Sequence, residues 1–555
     1  MRSRLPLLVL LASALAFLAS LFLPWREAHV ASGGGTGSLG LLNLFGGGPL
    51  DGWVGGVGDV AVLLAVALVF ANGAALLRPR AAARLPLGGL GVGLGYFTAA
   101  VAVQAHATSA AIFPALIRAH GGQGWTGTNP ASVHYHTTWA YGFYLGAAAG
   151  AAAVVCAAAL RRRELLVRRS MVEVVAAQIG VALLISFLLP WAWFPGVHRV
   201  GFPGMGSPAA AIAALGLVLV GSRLLSPGDE RRRLPFAVAT AILVGGAASS
   251  GPLGASHAYG TWIGVGCAVA LVAVETVRTR EWRLPPLPRG WTALRTAAAI
   301  LLLAALFLPW QEMRAAPRFH APGFAGWWAY GGAVAGGLAL LLLAAVALPG
   351  LEAYALEAAV AIALLVSAQG GFFAGFANSR IFRMGYGLYV GFGATALLLI
   401  ATLVPFRPGE VNRRRALARA LPIGLAVACV GAVVVPWWFV VPQDWLLRAT
   451  AVRDWLSVPA LFLALSVVRS WLIAAKGPAA KGHALTLTPL ALLVLPALEL
   501  VRLRSSGVIW GGVILIVLCL LLAALGWLEE SGGGIESLRV PEEIWRVDRL
   551  PEPES

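Results

Sequence analysis

The sequence predicts an all-α integral membrane protein with sixteen transmembrane helices in four tandem, parallel four-helix repeats and both termini in the cytoplasm. Three observations carry that expectation. Of 555 residues, 59% are hydrophobic and 12% charged, with a mean hydropathy of +0.81, whereas soluble domains are about half apolar and about a quarter charged. Sixteen apolar runs approach the ~20 residues that cross a bilayer. Two short signatures recur at corresponding places among those runs, which is the mark of internal duplication.

The runs fall in fours. They cover 5–25, 53–77, 85–108 and 138–160, then 172–193, 207–225, 234–250 and 257–277. The third set covers 291–310, 327–348, 351–369 and 385–404, and the fourth 416–437, 452–475, 485–503 and 507–528. The repeats are accordingly residues 1–164, 165–283, 284–410 and 411–528. Residues 529–555, acidic and bearing Gly532-Gly533-Gly534, Pro551 and Pro553, are expected to be a mobile cytoplasmic tail. Met1-Arg2-Ser3-Arg4 ahead of an apolar run has the look of a signal peptide, but that run recurs later as a repeat unit and is kept as a membrane helix.

Each first run ends in one signature: Leu23-Pro24-Trp25, Leu189-Pro190-Trp191, Leu308-Pro309-Trp310 and Val435-Pro436-Trp437. Proline ends a helix and tryptophan favours the headgroup region, so these tryptophans are expected to be interface anchors with a wet indole N–H. The fourth runs carry the second signature. It reads Tyr141-Gly142-Phe143-Tyr144-Leu145-Gly146, Tyr259-Gly260-Thr261-Trp262-Ile263-Gly264 and Tyr386-Gly387-Leu388-Tyr389-Val390-Gly391, decaying to Gly507 to Gly512 in the last repeat. Glycines four apart share a helix face and let another backbone approach. Tyr141, Tyr259 and Tyr386, one residue ahead of that face, are candidate gating or ligand-binding residues.

A net charge of +17 would suggest nucleic acid in a soluble protein. Here its placement follows topology. With the N-terminus inside, 30 of the 41 basic residues lie on the cytoplasmic side, in agreement with the positive-inside rule. The expected partners are the bilayer and other membrane proteins, with no role for nucleic acid, and the expected location is a bacterial cytoplasmic cell membrane. An even helix number per repeat gives every repeat the same orientation, which disfavours inverted-repeat transporter folds. Cys156, Cys267, Cys429 and Cys519 sit in apolar runs without metal or redox spacing and read as small buried hydrophobes.

Among intramembrane polar residues, Gln104 and Gln369 occupy third helices and are candidate ligand contacts, although interhelical hydrogen bonds explain them more cheaply. Glu173 and Glu275, near cytoplasmic ends, are placed to snorkel or to pair with the arginine clusters. Eight of nine histidines map to the outer side. His198 and His320 share a His-x-x-Gly-Phe-x-Gly context, and His134-Tyr135-His136 could offer both rings to one metal ion only if extended, since neighbours two apart diverge on a helix. These four are the candidate metal ligands, and a transition metal or haem stays open although no cofactor is indicated by a motif.

Gly35-Thr36-Gly37-Ser38-Leu39-Gly40 fits GxGxxG but lacks a preceding strand–helix context, so it is a loop. The chain has no P-loop, GxSxG or HExxH, offers no catalytic residues, and points away from an enzyme. The leading functional expectation is a transporter or another solute- or lipid-handling membrane protein. A non-catalytic scaffold subunit and an outer-face haem or metal protein are the alternatives.

Overall fold

The computed structural model describes residues 5–32, 35–37, 50–51, 55–77, 87–120, 134–160, 170–193, 201–219, 230–249, 256–278, 288–313, 324–347, 349–352, 354–377, 382–405, 419–434, 438–439, 448–449, 457–476, 484–502 and 510–530. Among them are sixteen helices of twelve residues or more, one for each apolar run. They are α1 (Leu5–Leu21), α2 (Gly55–Leu77), α3 (Leu87–His120), α4 (Tyr141–Leu160), α5 (Met171–Leu188), α6 (Pro208–Leu219), α7 (Glu230–Ala248) and α8 (Tyr259–Arg278). Then follow α9 (Gly290–Leu306), α10 (Tyr330–Ala347), α11 (Ala355–Ala377), α12 (Tyr386–Leu403), α13 (Ala420–Val434), α14 (Ser457–Lys476), α15 (Ala484–Arg502) and α16 (Trp510–Glu530).

Six helices are long and apolar enough to cross a membrane: 87–107, 141–160, 171–188, 259–278, 386–403 and 512–530. Ten other apolar helical stretches are shorter. The 17 residues of α1 rise about 26 Å at ~1.5 Å each, slightly less than a ~30 Å hydrocarbon core. The shortening has a local cause at the first helices, where the chain turns extended at the proline instead of continuing to the tryptophan.

The chain divides into two compact units, residues 1–405 with 453–456, and residues 406–452 with 457–555. In the first unit α1–α4, α5–α8 and α9–α12 each close a ring, every helix packing on its sequence neighbour and the fourth returning to the first. The second helices join the rings, α6 touching α2, α3 and α10. Small residues allow that approach: Ala209, Ala210, Ala211, Ala213 and Ala214 of α6 are all buried. The fourth helices lie outside, with 28% of α4 and 33% of α8 buried against 67% of the 87–107 span of α3. Tyr144, Val155, Val181, Ile185, Trp262 and Val269 are all more than half exposed, an apolar surface that lipid solvates and water does not.

Short strands at the helix ends were not expected from the sequence. In the first three groups a strand opening at the Pro-Trp pair is the centre of a small antiparallel sheet: β1 (Pro24–Ser32), β5 (Pro190–Trp193) and β8 (Pro309–Met313). One neighbour precedes the second helix: β3 (Leu50–Asp51), β6 (Gly201–Pro203) or β9 (Phe324–Ala325). The other precedes the fourth: β4 (His134–Trp139), β7 (Ser256–His257) or β10 (Phe382–Met384). β2 (Gly35–Gly37) adds to β1 in the first sheet. Proline starts these strands because it excludes α geometry from the residue before it, and Leu189 accordingly has φ −81° and ψ 161°.

The expectation of wet interface anchors is corrected here. Trp25, Trp191 and Trp310 are 0, 3 and 0% exposed. Each indole Nε1 donates to the carbonyl five residues back, Trp25 to Ser20 at 2.8 Å, Trp191 to Ser186 at 2.8 Å and Trp310 to Ala305 at 2.9 Å. The same carbonyls accept the backbone N–H of Leu23, Leu189 and Leu308. Last-turn carbonyls lack a helical partner, and burial makes an unmet one costly, so the tryptophan closes the helix end that the proline opens. Trp437 lies outside the described residues.

Glycines receive the indoles. A β-carbon on Gly146 would come within 2.6 Å of Trp25 and one on Gly264 within 2.4 Å of Trp191, while one on Gly391 would lie 3.2 Å from Trp310, a tight contact. The opposite approach is made by Gly204 and Gly326, whose β-carbons would lie 2.5 Å and 2.6 Å from Trp191 Nε1 and Trp310 Nε1. The Pro-Trp and Tyr-Gly-x-x-x-Gly signatures, and the last glycine of the Gly-Phe-x-Gly element, are thus parts of one packing unit.

In the second unit α13 packs on α14 and α16, and α15 on α14 and α16. Trp471 of α14 is fully buried. Arg419, ahead of α13, pairs with Glu529 near the end of α16, and Glu530 accepts the Leu485 N–H at 2.9 Å and the Thr486 hydroxyl at 2.6 Å. β11 (Trp438–Phe439) pairs with β12 (Arg448–Ala449).

Candidate functional site

The most distinctive site in the first unit is a cleft of about 250 Å³ in the second helix group. Its walls are Ala176, Ala177, Gly180, Val181 and Leu184 of α5, Leu217 and Val218 of α6, Phe236 and Ala237 of α7, Leu271 of α8 and Val92 of α3. Small residues on α5 make the room, and nothing lies within 4 Å of where a Gly180 β-carbon would be. Tyr96 of α3 ties that helix to α5 by donating its hydroxyl to the Leu184 carbonyl at 2.8 Å.

The cleft has four charged side chains at one end: Glu173, Arg233, Glu275 and Arg278. Chain direction puts them there. Glu173 is in the first turn of α5, Arg233 near the start of α7, and Glu275 and Arg278 in the last turn of α8. Arg233 and Glu275 are 4 and 6% exposed. Glu173 Oε1 accepts Arg278 Nη2 at 2.8 Å and Arg233 Nη1 at 3.5 Å. Its other oxygen accepts the Ser170 N–H at 3.1 Å while Ser170 Oγ accepts the Glu173 N–H, a capping box that fixes the carboxylate to the helix start. Buried charges persist only when paired and hydrogen-bonded, and this set, two acids and two guanidinium groups, is neutral overall. The arrangement is an apolar trough with four charged side chains at one end.

The pairing of Glu173 with arginines matches the sequence reading. The convergence of four charges on one cleft was not anticipated, and its only trace in the sequence is that acids and arginines fall in the end turns of three helices of one group.

The residues singled out from the sequence lie elsewhere. Tyr141, Tyr259 and Tyr386 each open a fourth helix and are 61, 52 and 56% exposed. None lines the cleft. Gln104 is buried in α3, its Oε1 3.7 Å from where a Gly206 β-carbon would sit. Gln369 of α11 accepts the Gly331 N–H at 3.2 Å, capping the first turn of α10, an interhelical bond of the kind expected. In α7, the third helix of the second group, Gly246 makes room for Trp327, which would be 2.5 Å from a Gly246 β-carbon. His134 and His136 lie in β4 and are placed by their backbone, whereas His198 and His320 lie outside the described residues. Among the residues whose side chains are described, no group of three or more His, Cys, Asp or Glu could hold a metal ion.

The chain is therefore a helical protein with six helices able to cross a membrane and a charged-floor cleft between its helices. Comparison with protein-family models, curated proteins and solved structures yields no match.

Proposed function

We propose that this is a multi-pass protein of the bacterial cytoplasmic membrane, built as four parallel four-helix repeats with both termini inside, that handles a lipid or another amphipathic solute. The observation that carries the functional part is the cleft lined by Gly180, Leu184, Phe236 and Leu271 and floored by Glu173, Arg233, Glu275 and Arg278. Its volume of about 250 Å³ sits just below the range of drug-sized ligand sites, roughly 300–1,000 Å³. That suits one hydrocarbon chain better than a bulky solute. Ionisable groups within the membrane are costly and mark functional positions by default, and here they stand where a headgroup would meet them.

The repeat scheme is supported by the threefold recurrence of the helix ring, the three-stranded sheet and the tryptophan closure. Near the start of α9, Arg295 donates both Nη groups to Glu352 at 2.6 and 2.7 Å, so that helix start and the 349–352 link lie at the same end of the ring, as two intervening helices require. That pair brings a basic side chain to the one cytoplasmic link, 349–352, that has none of its own.

The test is saturable binding of a fluorescent single-chain amphiphile to purified protein in nanodiscs, followed by flux of the same amphiphile in proteoliposomes. The wild type is expected to bind with one-site stoichiometry, and Ala177→Trp, which fills the cleft, to lose binding while remaining monodisperse. Equal binding by both proteins, or by neither, would rule the proposal out.

A further inference from the structure

The strand pair β1–β4 brings three histidines to one face. Its register sets Glu27 opposite Thr138, His29 opposite His136 and Ala31 opposite His134. Directly opposed residues of an antiparallel pair share a face, and so do alternate residues along each strand. One face therefore carries Glu27, His29, Ala31, His134, His136 and Thr138, and the other Arg26, Ala28, Val30, Tyr135, Thr137 and Trp139. Glu27, His29, His134 and His136 thus hold register positions on one face of the pair, and Arg26 a position on the other.

We propose that His29, His134 and His136, juxtaposed on one face of this strand pair, form a binding site for a divalent transition-metal ion. The spacing suits it. Opposed β-carbons in an antiparallel pair lie about 4.5–5.5 Å apart and diagonal partners roughly 7–8 Å, within reach of long side chains. His134 and His136 are separated along the strand by about 6.8 Å. A helix would have turned these two away from each other, and extension is the condition under which His-x-His can act on one ion. Three imidazoles with a fourth position left open is an established ligand set for tetrahedral zinc. Imidazole donors favour zinc, copper, nickel or cobalt over magnesium or calcium, and with an unperturbed pKa of about 6.5 they are mostly neutral and able to ligate near pH 7. Glu27, two residues before His29, holds a position on the same face.

The equivalent pairs in the other groups lack this set. β5 and β7 oppose His257 with Ala192, and β8 and β10 oppose Gln311, Glu312 and Met313 with Met384, Arg383 and Phe382. The β1 strand is also the longest of the three central strands, at nine residues against four and five. The added length carries His29 and its partners. Duplication thus explains the sheets, but it does not explain the histidines in the first.

The experiment uses full-length, tag-free protein in detergent, stripped with chelator and titrated with Co2+ and Zn2+. One Co2+ per chain is expected, with the visible absorption of a tetrahedral ion and displacement by Zn2+. His29→Ala and His136→Ala are each expected to weaken binding at least 100-fold, and His257→Ala to leave it unchanged. Zn2+ is expected to raise the thermal midpoint of the wild type but not of a His29→Ala/His136→Ala double variant, a comparison that holds even if the variants are less stable than the parent. Absence of stoichiometric binding by the wild type, or binding unaffected by both single variants, would overturn the proposal.

Discussion

The indole of Trp191 fills the space that a β-carbon on Gly264 would need. One residue lies in β5, three residues past the end of the first helix of its group, and the other lies one turn into the fourth, so a contact between them fixes how that helix ring closes. Trp25 with Gly146 repeats the relationship, and Trp310 with Gly391 does so more loosely, at 3.2 Å. Glycine at position 264 is therefore set by a neighbour. Gly264→Ala is expected to cost ~1–3 kcal/mol through overpacking against a rigid ring. Gly266→Ala, in the same helix with nothing within 4 Å of its β-carbon, is expected to be neutral or to stabilise by up to ~1 kcal/mol through helix propensity. Thermal unfolding of the two variants in detergent separates the effects, and equal midpoints would remove the steric explanation.

The tryptophans act by hydrogen bond as well as by volume. Trp310→Phe keeps an aromatic ring but deletes the donor to the Ala305 carbonyl, which still receives the Leu308 N–H. A loss of ~1 kcal/mol is expected for that bond, and Trp310→Ala should cost ~3–5 kcal/mol by leaving a cavity. Trp262, 67% exposed, is the control, and Trp262→Phe should move the midpoint by less than ~0.5 kcal/mol equivalent. If all three variants unfold at one temperature, the indole closure contributes nothing to stability.

Arg419 and Glu529 give a second kind of test, in the second unit. Their side chains are 10 and 8% exposed, so each holds the other's charge away from water. Replacing either by methionine leaves the other charge buried, at an expected cost of ~3 kcal/mol or more. The Arg419→Met/Glu529→Met double variant removes both charges and is expected to regain most of that loss. A double variant as unstable as the sum of the singles would mean that the two side chains act independently.

Helix positions were legible because a bilayer demands long apolar runs, and periodicity was hardly needed to find them. The recurrence of Pro-Trp and Tyr-Gly was legible too, but its meaning was not. Read singly, Trp25 looks like a headgroup anchor and Gly146 like a generic small-residue face, and only their contact shows that each requires the other. The strands escaped because β5, β7, β9 and β10 hold two to four residues each, too few for an alternating pattern to show. The ionic floor escaped because Glu173 and Arg278 are 105 residues apart and meet only when α5 packs on α8. Cys429 and Cys519, both buried, likewise sit on helices, α13 and α16, that only ring closure brings together and no spacing reveals.

The orientation of the repeats admits a direct test. An even number of helices between two positions would place them on one side of the membrane, and under the proposed orientation the arginine-rich segments between repeats face the cytoplasm. With Cys156, Cys267, Cys429 and Cys519 replaced by alanine, Arg162→Cys and Arg414→Cys should react with a membrane-impermeant maleimide only after permeabilisation. Thr36→Cys and Ser379→Cys, in segments that follow the first helix of repeat one and the third helix of repeat three, should react in intact cells. The two pairs sample opposite ends of the rings in different repeats, so an odd helix number in any repeat between them would break the pattern. Labelling of Arg162→Cys and Arg414→Cys on opposite sides would exclude parallel repeats, because eight helices separate the two positions in this scheme.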